Sequence, residues 1–207
     1  LENTLRSGQV FRWHWKEGCA SGVVFRNIVK MRQTSSGVEF QSSPDEESKI
    51  KSLLEDYLGL GADLESIYKS IGTYKRINTA IERYRGMRIL RQEPWECLVS
   101  FMCSTASNIP RISKNVEAIC TGFGQPLRLE GQTRFSFPTP DELAGASGAQ
   151  LTSLGLGFRA RRVADAAQAV ARGQIDLMAL REASYDEALR ELTTLDGVGD
   201  KVANCAM

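Results

Sequence analysis

The sequence predicts an α+β chain, a small antiparallel sheet followed by an all-helical domain, and three observations carry that expectation. Apolar residues recur with period two from Val10 to about Gln41. After Ser43 the period becomes helical and stays so. The chain then closes on Leu195-Asp196-Gly197-Val198-Gly199-Asp200-Lys201, where one helix ends, two glycines make a tight hairpin and a second helix begins.

The elements follow in order. Phe11, Trp13 and Trp15 alternate with Arg12 and His14, and Val38 and Phe40 flank Glu39, which reads as strands; Gly18, Gly22 and Gly37 supply the turns. The aromatic residues are expected in the core rather than on a base-stacking surface. His14, the one histidine, falls on the polar phase of its strand and is given no catalytic part. Ser43-Pro44-Asp45-Glu46 has capping-box spacing, and Ile50, Leu53, Leu54, Tyr57 and Leu58 then mark one helical face before Gly59. Helices are expected over Asp63–Ile71, about Tyr74–Arg85, Trp95–Met102 and Ile109–Thr121, the last two separated by the polar break Ser104–Asn108. The stretch 122–140 reads as a loop closed by a second capping box, Thr139 to Glu142. Gly155-Leu156-Gly157 turns into an alanine-rich helix over Phe158–Arg172, and a third box, Ser184 to Glu187, opens the helix that enters the terminal hairpin.

Composition bounds the rest. A chain of 207 residues can form one large domain or two small ones. With 42% hydrophobic and 25% charged residues it reads as a soluble globular protein, and no apolar run approaches the roughly 20 residues of a membrane span. The net charge of +1 argues neither for nor against nucleic acid. Lys75, Arg76, Arg83, Arg85, Arg88 and Arg91 crowd one stretch and Arg159, Arg161 and Arg162 another, as a nucleic-acid footprint or as solvated helix faces. Five cysteines, odd in number and without a C-x-x-C pair, indicate neither a disulfide framework nor a zinc site, and a reducing compartment is expected. The chain begins at Leu1 and stops inside an apparent helix at Met207, so both ends are expected to be cut.

The terminal hairpin has two readings from its residues. Free amides at the start of the second helix suit an anion, which makes it a helix-hairpin-helix holding a phosphate with Lys201 beside it. An ordinary glycine-terminated helical hairpin with a surface lysine fits equally well.

Several stretches, taken in order, resemble the 8-oxoguanine DNA glycosylase family of the helix-hairpin-helix superfamily. They are Ser7-Gly8-Gln9-Val10-Phe11-Arg12-Trp13, Leu90-Arg91-Gln92-Glu93-Pro94-Trp95-Glu96-Cys97-Leu98, Ser100-Phe101-Met102-Cys103-Ser104 and Asn108-Ile109-Pro110-Arg111-Ile112. Leu154-Gly155-Leu156-Gly157-Phe158-Arg159-Ala160-Arg161 and Gly197-Val198-Gly199-Asp200-Lys201-Val202-Ala203-Asn204-Cys205 complete the set. The resemblance implies a sheet domain with flanking helices over 1–90 and a helix-hairpin-helix glycosylase domain over 91–207, incomplete at its C-terminal end. It also implies removal of 8-oxoguanine from damaged double-stranded DNA followed by strand cleavage, by a monomer with no cofactor, no metal and no membrane. Such a protein belongs in the nucleoid of a bacterium or archaeon or in a eukaryotic nucleus.

By the same resemblance Lys201 is the nucleophile, the Gly8 carbonyl and Cys205 meet the damaged base, and Gly197, Val198 and Gly199 hold the DNA backbone. Asn108, Arg111, Phe158 and Arg159 act on the DNA opposite the lesion, the two arginines donating to the acceptors of the estranged cytosine. The sequence departs from the family's pattern in four places. Asp196 replaces a usual proline, putting a carboxylate near the expected phosphate. Phe158 stands for a tyrosine that wedges into the gap left by the flipped base, an exchange that keeps the ring. Ala106 stands where the first of three asparagines helps read cytosine. The catalytic aspartate of the family is expected beyond Met207. A DNA-binding hairpin module without complete chemistry, and a glycosylase for alkylated purines, are the alternatives; the second lacks the nucleophilic lysine, so Lys201 weighs against it.

Overall fold

The computed structural model describes residues 1–207. The chain forms two compact units, Leu1–Gly22 with Val29–Arg91, and Val23–Ile28 with Gln92–Met207.

Helix α1 (Glu2–Leu5) leads into a turn, and strands β1 (His14–Lys16), β2 (Cys19–Val24), β3 (Asn27–Gln33) and β4 (Val38–Ser43) make one sheet in chain order, whose β2–β3 tip, Val23–Ile28, is counted with the second unit. The antiparallel register His14↔Ser21, Trp15↔Ala20, Lys16↔Cys19 leaves Glu17 and Gly18 as a two-residue loop. Both have positive φ, 52° and 76°, the turn whose twist matches paired strands. The strand expected from Val10 begins only at His14: Phe11 and Arg12 are both buried, which an alternating strand with one wet face cannot achieve. Trp13 explains Gly22, because a Cβ there would lie 2.5 Å from the indole. The indole N–H donates to the Tyr57 hydroxyl at 2.9 Å, so this aromatic residue is internal packing, as expected.

Helix α2 (Glu47–Tyr57) buries Ile50, Leu54 and Tyr57. It does not start at the expected capping box. Ser43 is the last residue of β4, the Asp45 carbonyl accepts from Ser42 Oγ, and Glu46 caps the helix with no side-chain bond. Helices α3 (Leu64–Ile71), capped by Asp63, and α4 (Lys75–Arg83) follow. Much of the first basic cluster has internal partners: Arg88 donates to the Gly59 and Ala62 carbonyls, Arg91 pairs with Asp56 at 2.7 Å, and Arg85 with Glu65.

The second unit is built on α5 (Pro94–Met102), of which Pro94, Trp95, Cys97, Leu98, Val99, Ser100 and Met102 are all buried. A helix buried nearly all round is a central one. Glu93 caps it, accepting from the amides of Trp95 and Glu96; burial nonetheless pushes its carboxyl up from the usual range. After α6 (Ile109–Phe123) comes a hairpin where a loop was expected, β5 (Pro126–Leu129) and β6 (Gln132–Phe135), with Leu129 opposite Gln132. Glu130 and Gly131 make its positive-φ turn, and Leu127 and Leu129 pack with Val23 and Ile28. Its base admits only glycine at 124, where a Cβ would fall 1.9 Å from the Ser136 carbonyl oxygen.

Short helices α7 (Pro140–Ala144) and α8 (Gly148–Leu151) carry complete capping boxes from Thr139 and Ser147. A widened helical turn, Thr152–Leu156, precedes α9 (Arg159–Ala171), whose buried Ala160, Val163, Ala164, Ala166 and Ala167 let α7 pack against it. Helix α10 (Tyr185–Leu192) opens on the Ser184–Glu187 box, and α11 (Asp200–Ala206) packs on α5. No helix is long and apolar enough to cross a membrane.

Candidate active site

The terminal hairpin is made by a helix that tightens before it stops. Helix α10 ends at Leu192 rather than at the expected Leu195. Thr194 N bonds the Glu191 carbonyl and Leu195 N the Leu192 carbonyl, each at 3.2 Å, the closer i−3 pattern of a narrowing last turn. Val198 N then reaches the Leu195 carbonyl at 3.0 Å, and the side chains of Leu192, Leu195 and Val198 are buried, pinning the turn to the unit.

The two glycines of the hairpin are there for different reasons. Gly197 has φ +83°, a region costly to an L side chain, and a Cβ on it would lie 2.4 Å from Arg162 Cδ. Gly199 has an ordinary extended backbone, φ −96°, at the N-cap of α11, and nothing lies within 4 Å of where its Cβ would be. The first glycine is therefore needed by the fold itself. The second keeps open space beside the hairpin.

Lys201 lies in the first turn of α11. Helical spacing puts it on one face with Asn204 and Cys205, all three exposed, while Val202 and Ala203 are buried against the unit. Lys201 is exposed because the inward phase of the helix is taken by Val202 and Ala203. Asn204 is fixed by bonds to the Asp200 carbonyl at 2.7 Å and from the Tyr185 hydroxyl at 2.9 Å. Beneath this face the Cys97 thiol donates to the Cys205 carbonyl at 3.4 Å, and burial, helped by Glu96, pushes that thiol up to about 12.

Beside the hairpin, α9 begins with Phe158 and Arg159. Gly155 (φ +88°) and Gly157 (φ +59°) turn the chain so that Phe158 stands 58% exposed. Asn115 of α6 steadies this turn, donating to the Leu154 carbonyl at 3.5 Å. Arg159 is only 3% exposed. Its Nε donates to the Thr105 carbonyl at 2.9 Å, Nη2 donates to that same carbonyl and, at 3.1 Å, to that of Ala106, Nη1 donates to Leu156 at 3.3 Å, and the guanidinium carbon stands 4.4 Å from the Phe158 ring centroid. One Nη1 hydrogen remains for an outside acceptor. The carbonyls that hold Arg159 belong to a segment under strain, since Ala106 has φ +49°. Asn108 caps α6, accepting from Arg111 N at 3.0 Å, and both of these residues are exposed.

The second unit thus brings Gly197, Val198, Gly199, Lys201 and Cys205 onto one hairpin and helix, and Phe158 and Arg159 onto the segment Thr105–Ala106. Gly8 belongs to the first unit. It lies at φ +88° in the turn after α1, between Ser7, which donates to the Thr4 carbonyl at 2.8 Å, and Gln9, which both accepts from Leu90 N and donates to the Arg88 carbonyl. These side-chain bonds tether the residues on either side of Gly8. Sequence reasoning named Arg162 only as one of a basic cluster and missed Asn115. Arg162 follows Phe158 by four residues, a helical spacing that could have found it; Asn115 left no sequence signal.

The sequence and the fold have counterparts among known proteins. The domain description "8-oxoguanine DNA glycosylase, N-terminal domain" matches residues 1–98. The structure of MBOgg1 in complex with a low-affinity DNA ligand superposes with TM-score 0.93 at 36% identity, covering 100% of this chain and 71% of that one. The chain belongs to the 8-oxoguanine DNA glycosylase family. Within the family it resembles the 8-oxoguanine glycosylase/lyase of Clostridium acetobutylicum, solved with double-stranded DNA containing cytosine opposite 8-oxoG, at TM-score 0.93 and 29% identity over 100% of this chain and 71% of that one. It is also 32% identical to the N-glycosylase/DNA lyase OGG1 of Arabidopsis thaliana over 99% of its own length. It spans 59% of that plant relative.

Proposed function

We propose that this protein is a bifunctional DNA glycosylase and abasic-site lyase that removes 8-oxoguanine from duplex DNA. The observation that carries the reading is the placing of Lys201: exposed, one residue into the helix after a hairpin that leaves open space at Gly199, in a chain of this family.

A base inside a duplex cannot be reached, so the nucleotide is flipped out, at a cost of a few kcal/mol. The Lys201 amine, in its neutral form, attacks the anomeric carbon of the sugar as the base departs. The resulting Schiff base makes the neighbouring C–H acidic enough for elimination of the strand. Cys205, one turn on and on the same face, lines the base pocket. Gly8 supplies a backbone carbonyl to N7, which carries hydrogen in the oxidised base but is an acceptor in guanine, so the same carbonyl attracts one and repels the other. That difference contributes about 1–3 kcal/mol of discrimination.

Gly197, Val198 and Gly199 hold the DNA backbone, and Phe158 fills the gap left by the flipped base. Asn108, Arg111 and Arg159 face the estranged cytosine. Arg159 reads it either with its one unengaged N–H or by leaving the carbonyls of Thr105 and Ala106. The protein acts as a monomer on nuclear or nucleoid DNA, with residues 1–90 as the sheet domain and 91–207 as the glycosylase domain.

The test is single-turnover nicking of a duplex with one 8-oxoguanine opposite cytosine, by the full-length protein. Strand cleavage at the lesion and none on the matching guanine duplex is expected. Equal treatment of both duplexes would remove the reading.

A further inference from the structure

We propose that Arg162 is the positioning residue of the hairpin, cancelling the charge of Asp196 so that the turn can meet the DNA backbone. The proposal rests on the reading of the hairpin as DNA-binding.

Asp196 is the first residue of the turn proper, and its side chain is 67% exposed. A lone carboxylate there would meet an incoming phosphate as a like charge, and at the short separations of a binding surface that repulsion is poorly screened. Arg162 removes it. Its Nε lies 3.4 Å from Asp196 Oδ2, the one hydrogen bond this side chain makes. The same side chain carries the next residue of the turn: Cδ, Nε and Cγ of Arg162 stand 2.4, 3.1 and 3.2 Å from the place a Cβ of Gly197 would occupy. Its guanidinium carbon is 5.8 Å from the Phe158 ring centroid, so one arginine touches both the turn and the exposed aromatic residue beside it.

The fold gains little from this pair. Arg162 and Asp196 are both partly exposed, and surface pairs of that kind stabilise weakly. What the pair changes is the charge offered by the hairpin. With Arg162 in place the turn is neutral and its shape is held by the arginine stem. Without it the turn keeps its glycines and presents a negative charge to a polyanion.

The experiment is a double-mutant cycle on the full-length protein. Binding is read by fluorescence anisotropy on a duplex with a tetrahydrofuran abasic-site analogue opposite cytosine, at several salt concentrations. Arg162→Met keeps the stem against Gly197 and removes the charge; Asp196→Asn removes the partner. Arg162→Met should weaken binding about tenfold beside Asp196, and threefold or less in the Asp196→Asn background. Arg162→Lys should stay within about threefold of wild type, because its stem and charge remain. A purely structural arginine would not be rescued by Asp196→Asn. If the wild-type protein fails to bind the duplex, the DNA-binding reading of the hairpin falls. If it binds and Arg162→Met costs the same in both backgrounds, only the positioning role falls.

Discussion

Alanine at the two hairpin glycines should have opposite consequences. At Gly197 the backbone lies at φ +83°, where an L residue costs about 1–2 kcal/mol, and the new methyl would sit 2.4 Å from Arg162 Cδ. The arginine must then move, which separates it from Asp196. Alanine also restricts the unfolded chain, which returns about 0.4–1 kcal/mol. With the displaced arginine included, the expected net loss for Gly197→Ala is about 1 kcal/mol of stability. At Gly199 φ is −96° and a Cβ meets nothing within 4 Å. Alanine is a poorer N-cap than glycine, but its entropic gain offsets that, so Gly199→Ala should leave stability within about 0.5 kcal/mol. On the proposed reading of the hairpin as DNA-binding, its methyl enters the open space that the backbone of the DNA would approach, so duplex affinity should fall while the fold stands. Urea denaturation followed by circular dichroism, with anisotropy on the same samples, separates the two effects. Wild-type affinity in Gly199→Ala, or wild-type stability in Gly197→Ala, would refute the division of labour.

Further outcomes are expected from other sites. Burial holds the Cys97 and Cys103 thiols at about 12, whereas Cys205 is exposed, so a maleimide at pH 8 should modify Cys205 while sparing the other two until the protein unfolds; peptide mapping would show it. Glu142 is pushed up by desolvation, but bonds from Thr139 N, Arg26 and Gln125 outweigh this and hold its carboxyl below the usual range. Its folded value being lowered, its contribution is present above the ordinary carboxylate value and is lost as pH falls through the lowered one. The Tm difference between wild type and Glu142→Gln should accordingly be constant above about pH 5 and shrink below it. Ala106→Asn should stabilise the protein by several tenths of a kcal/mol, since asparagine tolerates the left-handed backbone at φ +49°, and it should widen the preference for cytosine opposite the lesion. Excision opposite each of the four bases, unchanged by that substitution, would contradict the second half.

The helices were legible because each carries its own signal. Thr139 and Ser184 cap where their spacing said they would, and α3, α5, α6 and α9 lie within about two residues of the expected spans. The β5–β6 hairpin was hidden by its neighbours: the alternation around Glu130-Gly131 is four residues a side and sits among the glycines, prolines and threonines of an apparent loop. Arg12 misled because a bend, not a strand, buries it beside Phe11.

At the site, the hairpin and its lysine could be read from local spacing, but their electrostatic setting could not. Arg159 is held by carbonyls about fifty residues earlier, and Arg162 pairs with a carboxylate 34 residues later. No period or motif joins such positions; only packing does.

Covalent capture addresses the role of Lys201 most directly. The full-length protein is incubated with a duplex holding 8-oxoguanine opposite cytosine, in borohydride, and the cross-linked peptide is mapped by mass spectrometry. The expected result is one adduct, on Lys201, absent from Lys201→Gln. An adduct that persists in Lys201→Gln, or that maps to another residue of the wild type, would contradict the assignment.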